Sequence, residues 1–357
     1  MTTPTMDNNR YCVIMCGGVG SRFWPFSKAA LPKQFIDFFG TGRSLLQMAF
    51  DRVNGIVPVE NIILITNESY EHLIKEQLPE ISDDRILLEP ARRNTAPCIA
   101  WAAHHIQAIN PEAKMMVAPS DHLVINVEKF RQSVNSAFDF IDSHDALVTM
   151  GIKPSRPETG YGYIQTDLSA ACERNKEIFR VDAFKEKPDL KTAQEYVKKN
   201  NMLWNAGIFV WNINTIINAL RVYAPQINGI FEGMQNVLGT KDEQAAIRER
   251  FPQCENISID YAILEKADEI YCFPASFGWS DLGTWGSLRE NTVQDAGGNA
   301  VIGGNVKLYE TKNCVVHVAQ ERRVVVQGLD GYIVAEKDNT LLICKLSEEQ
   351  RIKDFSK

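Results

Sequence analysis

Five short apolar runs punctuate the first half of this chain: Tyr11–Met15, Asn61–Thr66, Arg85–Leu88, Lys114–Ala118 and Ala146–Ile152. Between them lie segments of helical length and helical apolar spacing. These are SLLQMAFDRV opened by Ser44 as N-cap, Glu68–Leu78, Ala96–Ile109 and Phe130–Ile141. Runs this uniformly apolar leave no face for water, and alternation with helices implies a mostly parallel sheet covered by helices on both sides. In such sheets, ligands bind beyond the carboxyl ends of the strands. The first strand runs straight into Cys16–Phe35, CGGVGSRFWPFSKAALPKQF. Gly17, Gly18 and Gly20 let backbone N–H groups approach an anion, while Arg22 and Lys33 add fixed positive charge. The loop suits a polyphosphate. It lacks the Gly-Lys-Ser/Thr of a P-loop and the third glycine of the dinucleotide fingerprint, which argues against a nicotinamide enzyme.

At 357 residues the chain has room for one large α/β domain and an appendage. A formal net charge of −7 argues against nucleic acid as a partner, so a phosphorylated substrate needs a local cluster of cations. The eight cysteines form no C-x-x-C pair and read as free thiols of a cytoplasmic protein. The N-terminus, MTTPTMDNNR, reads as neither signal nor anchor, and no apolar run reaches membrane-spanning length.

Past Gly160 the texture changes. GYGYIQT and EIFRVDAFKEKP read as strands of a different sheet region, and Gly297–Lys345 alternates Val/Ile runs with Gly, Asn and Asp turns. The expected division is residues 1–290 and a small β-rich domain, 291–357.

Candidate site residues follow from position. Asp121 in APSDH and Asp281 in FGWSDLGTW are carboxylates in turns after apolar stretches; beside the opening loop they suit Mg²⁺, and taken without it they better suit turn capping. In EPARRNTAP, Asn94 and Thr95 offer hydrogen bonds to a base edge or an ordinary helix cap. Glu186 and Lys187 fit a sugar phosphate or a solvated strand end. Asn205, set among apolar residues, needs partners from ligand or backbone. His122 reads as a neighbour of the site, and His72, His104 and His105 as solvated helix residues.

Together, CGGVGSRFWPFSKAALPKQF, EPARRNTAP, APSDH, GYGYI, FKEKP, WNAGIFVW and FGWSDLGTW occur in the order found in the mannose-1-phosphate guanylyltransferases, sugar-1-phosphate nucleotidyltransferases that this chain resembles over about Tyr11–Arg289. The resemblance implies a Rossmann-like, nucleotide-diphospho-sugar transferase fold with a short left-handed β-helix as C-terminal appendage, a homodimer being one arrangement of such tails. It implies GTP and mannose 1-phosphate as substrates and Mg²⁺, with Mn²⁺ as an alternative, held by Asp121 and Asp281. Arg22 and Lys33 would be catalytic. Gly17, Gly18, Gly20, Ser21, Glu89, Asn94, Thr95 and Ala96 would bind the nucleotide. Gly160, Tyr161, Glu186, Lys187 and Asn205 would bind the sugar phosphate. Cys16 and Lys28 depart from the family's usual alanine and arginine without removing a ligand. With the sequence ending at Lys357, no fused isomerase domain and no phosphomannose isomerase activity are expected. The rivals are a transferase of another base or hexose phosphate and a non-catalytic sugar-nucleotide sensor.

Overall fold

A computed structural model of the chain describes residues 7–18, 20–172 and 175–356. Residues 1–6 of the polar N-terminal segment therefore lie outside the described residues. Contacts divide the chain into two compact units. The first comprises the segment up to Cys16, Asp51–Pro119 and Val124–Trp279; the second comprises Gly17–Phe50, Ser120–Leu123 and the chain from Ser280 on. The glycine-rich loop thus groups with the C-terminal tail rather than with the strand that precedes it.

The first unit is built on nine strands: β1 (Arg10–Met15), β2 (Ile62–Asn67), β3 (Ile86–Glu89), β4 (Lys114–Pro119), β5 (Leu147–Ile152), β6 (Tyr163–Ala171), β7 (Phe179–Lys185), β8 (Met202–Asn212) and β9 (Ile270–Ala275). Their order is β3-β2-β1-β4-β8-β5-β9-β7-β6. The expectation of a mostly parallel sheet holds for β3-β2-β1-β4, where helical crossovers return each strand in the same direction. It fails beyond β4. There β8 inserts antiparallel between β4 and β5, and β6 and β7 pair as antiparallel neighbours, because a short connection reverses the chain. The segments after Gly160 therefore form the far, antiparallel region of the same sheet.

Strands β1, β2 and β4 are almost wholly buried, which accounts for their unbroken apolar sequences. Each such Val, Ile or Leu contributes about 1.5–3 kcal/mol of burial. The helix Thr95–Ile109 is buried along Ala96–Ile106, packed against the helices Ile213–Tyr223 and Pro225–Glu232. That corrects the expectation that His104 and His105 are solvated. Both are under 5% exposed; His104 Nε2 lies 3.0 Å from Asn228 Oδ1 and His105 Nδ1 2.8 Å from Glu243 Oε2. Glu243 also accepts from Trp101 Nε1 at 2.6 Å, so the buried carboxylate is paired from two sides.

In the second unit, β10 (Ala300–Ile302), β12 (Val315–His317) and β14 (Tyr332–Lys337) form a parallel ladder that β15 (Thr340–Lys345) closes antiparallel. β11 (Asn305–Tyr309) and β13 (Arg323–Gln327) form a second parallel pair. Ala300, Val315 and Ile333 share an apolar cluster with Phe23 and Phe26 of the opening loop and Phe38 just beyond it, and His317 stacks on Phe26 at 4.1 Å. The tail is a packing partner of the loop. All eight cysteines are free, and no described helix is long and apolar enough to cross a membrane.

Candidate active site

Two clusters gather the residues singled out in the sequence, one in each unit. In the second unit, Gly18 and Gly20 both have positive φ, 89° and 66°. A Cβ at Gly20 would collide with the Lys33 side chain, so glycine there is required by both backbone and packing. Ser27 Oγ donates to the Gly20 carbonyl, pinning the turn. Lys33 is 4% exposed, and its ammonium donates to Asp121 Oδ2 at 3.0 Å and to the Asp281 carbonyl at 2.5 Å. Burial works to raise the Asp121 carboxyl, but Lys33 outweighs it and holds the group below its usual range. Asp281 Oδ1 accepts from the Gly283 N–H at 3.0 Å, so the turn-cap role and a place at the pocket coexist. These groups border one cavity of about 350 Å³, to which Gly20, Ser21 and Arg22 contribute from the loop, Asp121 and His122 from one turn, and Asp281 from another. Its remaining wall includes Gln350 and Lys353, residues the sequence reading placed in the appendage.

Two carboxylates on one cavity offer the hard oxygen donors that Mg²⁺ prefers. Among the described residues no group of three or more His, Cys, Asp or Glu gathers as a metal cage. Such a pair fits an ion that takes its other ligands from water and phosphate.

In the first unit, the turn before the helix Thr95–Ile109 is locally saturated. Asn94 has φ 66° and its side chain caps the Thr95 N–H. Thr95 Oγ1 accepts from the Ile259 N–H at 2.9 Å, and the Ala96 N–H donates to the Ile257 carbonyl at 3.1 Å. Glu89, at the end of β3, is 9% exposed; burial pushes its carboxyl up to about 7, and its Oε1 has no hydrogen-bond partner among the described residues. Arg92 and Arg93 point to the Tyr70 hydroxyl and the Pro252 carbonyl.

Asn205 sits at a bulge: Thr149 pairs with Phe209 but Gly151 with Asn205, and Gly207 takes a positive φ of 66°. Its Oδ1 accepts from Thr149 Oγ1 at 2.8 Å and its Nδ2 donates to Asp260 Oδ1 at 3.0 Å. Asp260, unmarked by any sequence pattern, is pushed up to about 7 by burial and then by the neighbouring Glu186 charge. Glu186 pairs with Lys187, whose backbone N–H donates to the Tyr161 carbonyl at 3.2 Å. Gly160 N–H donates to Glu158 Oε1. The close approach at this turn belongs instead to Gly162, where a Cβ would fall 2.6 Å from Glu186 Oε2. Tyr161 stands edge-on to Trp204 and Trp279. Ile257–Asp260 therefore ties Thr95 and Ala96 to Asn205, a link that runs through sequence-distant backbone and left no local signal.

The sequence profile of the nucleotidyl transferase family matches residues 11–297. The mannose-1-phosphate guanylyltransferase of Escherichia coli K12 is 36% identical over 348 residues, covering 96% of this chain and 72% of that relative. The chain belongs to the nucleotidyl transferase family, in its mannose-1-phosphate guanylyltransferase branch. Another family member, from Klebsiella pneumoniae, is 32% identical over 344 residues with the same coverage. The crystal structure of mannose-1-phosphate geranyltransferase from Thermus thermophilus superposes with a TM-score of 0.87 at 29% identity, over 98% of both chains. The family's α/β nucleotidyltransferase fold is the one observed here.

Proposed function

We propose that this chain transfers GMP from GTP to α-D-mannose 1-phosphate, giving GDP-mannose and pyrophosphate. The observation that carries the reading is the cavity where Gly20, Arg22 and Lys33 of the glycine-rich loop meet Asp121 and Asp281, in a chain whose relatives bear that activity in their names. A phosphate oxygen of the sugar phosphate forms a bond to the α-phosphorus of GTP as the bond to the β-phosphate bridging oxygen breaks. The electron pair leaves with pyrophosphate, so no protein nucleophile is needed. Gly17, Gly18, Gly20 and Ser21 hold the triphosphate, while Arg22 and Lys33 neutralise charge that grows in the transition state. Asp121 and Asp281 would hold Mg²⁺, or Mn²⁺, whose positive charge favours the phosphates' approach.

For the base, Asn94, Thr95 and Ala96 shape the turn, and Glu89 is the strongest reader. Guanine presents two N–H donors on one edge, and a buried carboxylate with an open oxygen complements them. Gly160, Tyr161, Glu186, Lys187 and Asn205 hold the sugar phosphate, with Asp260 fixing Asn205. We further propose that residues 1–290 form the nucleotidyltransferase domain, that the two parallel ladders of 291–357 are coils of a short left-handed β-helix, and that the enzyme works in the cytoplasm. The outer strand β15 exposes Leu341 and Ile343 beside a groove of about 590 Å³, which supports pairing of this edge with a second copy. A monomer mass by light scattering would refute the homodimer.

The test is pyrophosphate release with Mg²⁺, crossing the four nucleoside triphosphates with mannose 1-phosphate and glucose 1-phosphate. A maximum at GTP with mannose 1-phosphate is expected. A maximum at another pair keeps the mechanism and overturns the base or sugar assignment, and no release with any pair reduces the chain to a sugar-nucleotide sensor.

A further inference from the structure

The segment Leu346–Phe355 is a short turn of 3-10 helix, Leu346–Arg351, continued by one turn of α-helix, Ile352–Phe355. Sequence reading gives it no role, and an exposed lysine near such a turn is ordinarily solvated. Three observations separate this turn from that ordinary case. Ile352 is fully buried, in the apolar cluster that also holds Phe23, Leu282 and Trp285. Phe23 is the neighbour of Arg22 and Leu282 the neighbour of Asp281, so one buried side chain fixes the turn against both functional segments. Glu349 Oε2 accepts the Gly286 N–H at 2.8 Å, at the start of the helix Trp285–Glu290 whose preceding loop carries Asp281. Gln350 and Lys353, between and beside these anchors, line the same 350 Å³ cavity as Arg22, Lys33 and Asp281.

The charges make the consequence specific. Of the three Lys and Arg residues lining the cavity, Lys33 is engaged with Asp121 and the Asp281 carbonyl. Asp121 and Asp281 offset Lys33 and Arg22 in formal charge, so Lys353 adds positive charge to that of the Mg²⁺ the two carboxylates would hold. We infer that the Leu346–Phe355 turn is a working wall of the polyphosphate pocket: Lys353 binds the pyrophosphate moiety directly, and Glu349 is the positioning residue that holds the Asp281 loop to it. This rests on the nucleotidyl-transfer reading of the pocket. It makes the tail a contributor to substrate binding as well as a scaffold.

The experiment is calorimetric titration of the full chain with inorganic pyrophosphate at fixed Mg²⁺, alongside transfer kinetics and a thermal melt of each variant. Lys353→Ala is expected to weaken pyrophosphate binding about tenfold, as the loss of one charge-assisted contact would. Lys353→Arg should retain it, and the melting temperature should stay at the wild-type value. Glu349→Ala is expected to raise KM for GTP more than it lowers kcat, with Glu349→Gln, which keeps a carbonyl oxygen acceptor for the Gly286 N–H, recovering most of the loss. A merely structural role would move the melting temperature and leave that split and its recovery absent. Binding within twofold of wild type for folded Lys353→Ala overturns the inference while leaving the transfer reading intact. Failure of the wild-type chain both to bind pyrophosphate and to transfer overturns both.

Discussion

The pocket of the second unit and the carboxyl cluster of the first handle charge in opposite ways. In the pocket, Asp121 is 28% exposed at its side chain, stays ionised and faces a fixed ammonium; its chemistry is attraction between full charges. In the cluster, the buried Glu89 and the half-buried Asp260 are carboxyls pushed up to about 7, and their chemistry is hydrogen bonding. On the proposed function, the first kind of site would grip any polyphosphate. The second kind would discriminate, because a wrong ligand would leave a buried polar atom unsatisfied at about 1–3 kcal/mol each. On that proposal affinity and selectivity are carried by different residues, and substitutions should separate them.

The sharpest break comes from Lys33→Ala or Asp281→Ala. Each is expected to lower kcat about 10²–10³-fold with every nucleotide and sugar phosphate alike, read by pyrophosphate release, with the circular dichroism spectrum unchanged. Next is Glu89→Gln, which should cut kcat/KM for GTP by about 10²-fold and narrow its margin over ATP, while Lys33 variants leave that margin as it was. The same variant has a stability signature. A carboxyl raised in the folded state contributes stability that is complete below its unfolded value near 4.5 and is lost as pH climbs towards 7. The wild-type protein should therefore lose stability between about pH 4.5 and 7 on this account, and Glu89→Gln should flatten that slope, raising the melting temperature at pH 8. Asp260→Asn is expected to raise KM for mannose 1-phosphate about tenfold and leave KM for GTP within twofold, since it loosens only Asn205. The smallest effect belongs to Lys28→Ala. Its ion pair with Asp338 is exposed on both sides, and the melting temperature should shift by no more than about 2 °C.

The sequence made the first half of the sheet legible because buried parallel strands write themselves as unbroken apolar runs. The antiparallel insertion of β8 was not legible: MLWNAGIFVW announces a strand but not its neighbours or direction. In the glycine-rich loop, Gly20 answers to a local φ and to Lys33 thirteen positions on, a packing contact that the anion-cradle reading of the sequence did not contain. Asp260, Glu243 and Lys353 were invisible. Each owes its place to partners far along the chain, Asn205, His105 and the Arg22 pocket, and no periodicity records a pairing across such distances. His104 and His105 show the same limit, because burial by later helices cannot be seen in the helix that is buried.

That pocket draws its walls from Gly20 to Lys353, with Asp121 and Asp281 contributed in between. Contacts so far apart along the chain require long loops to close, which makes them slow to form. If the pocket binds pyrophosphate as proposed, a refolding chain should regain its helical signal before it can do so, and capture of that small anion becomes a clock for the last step of assembly.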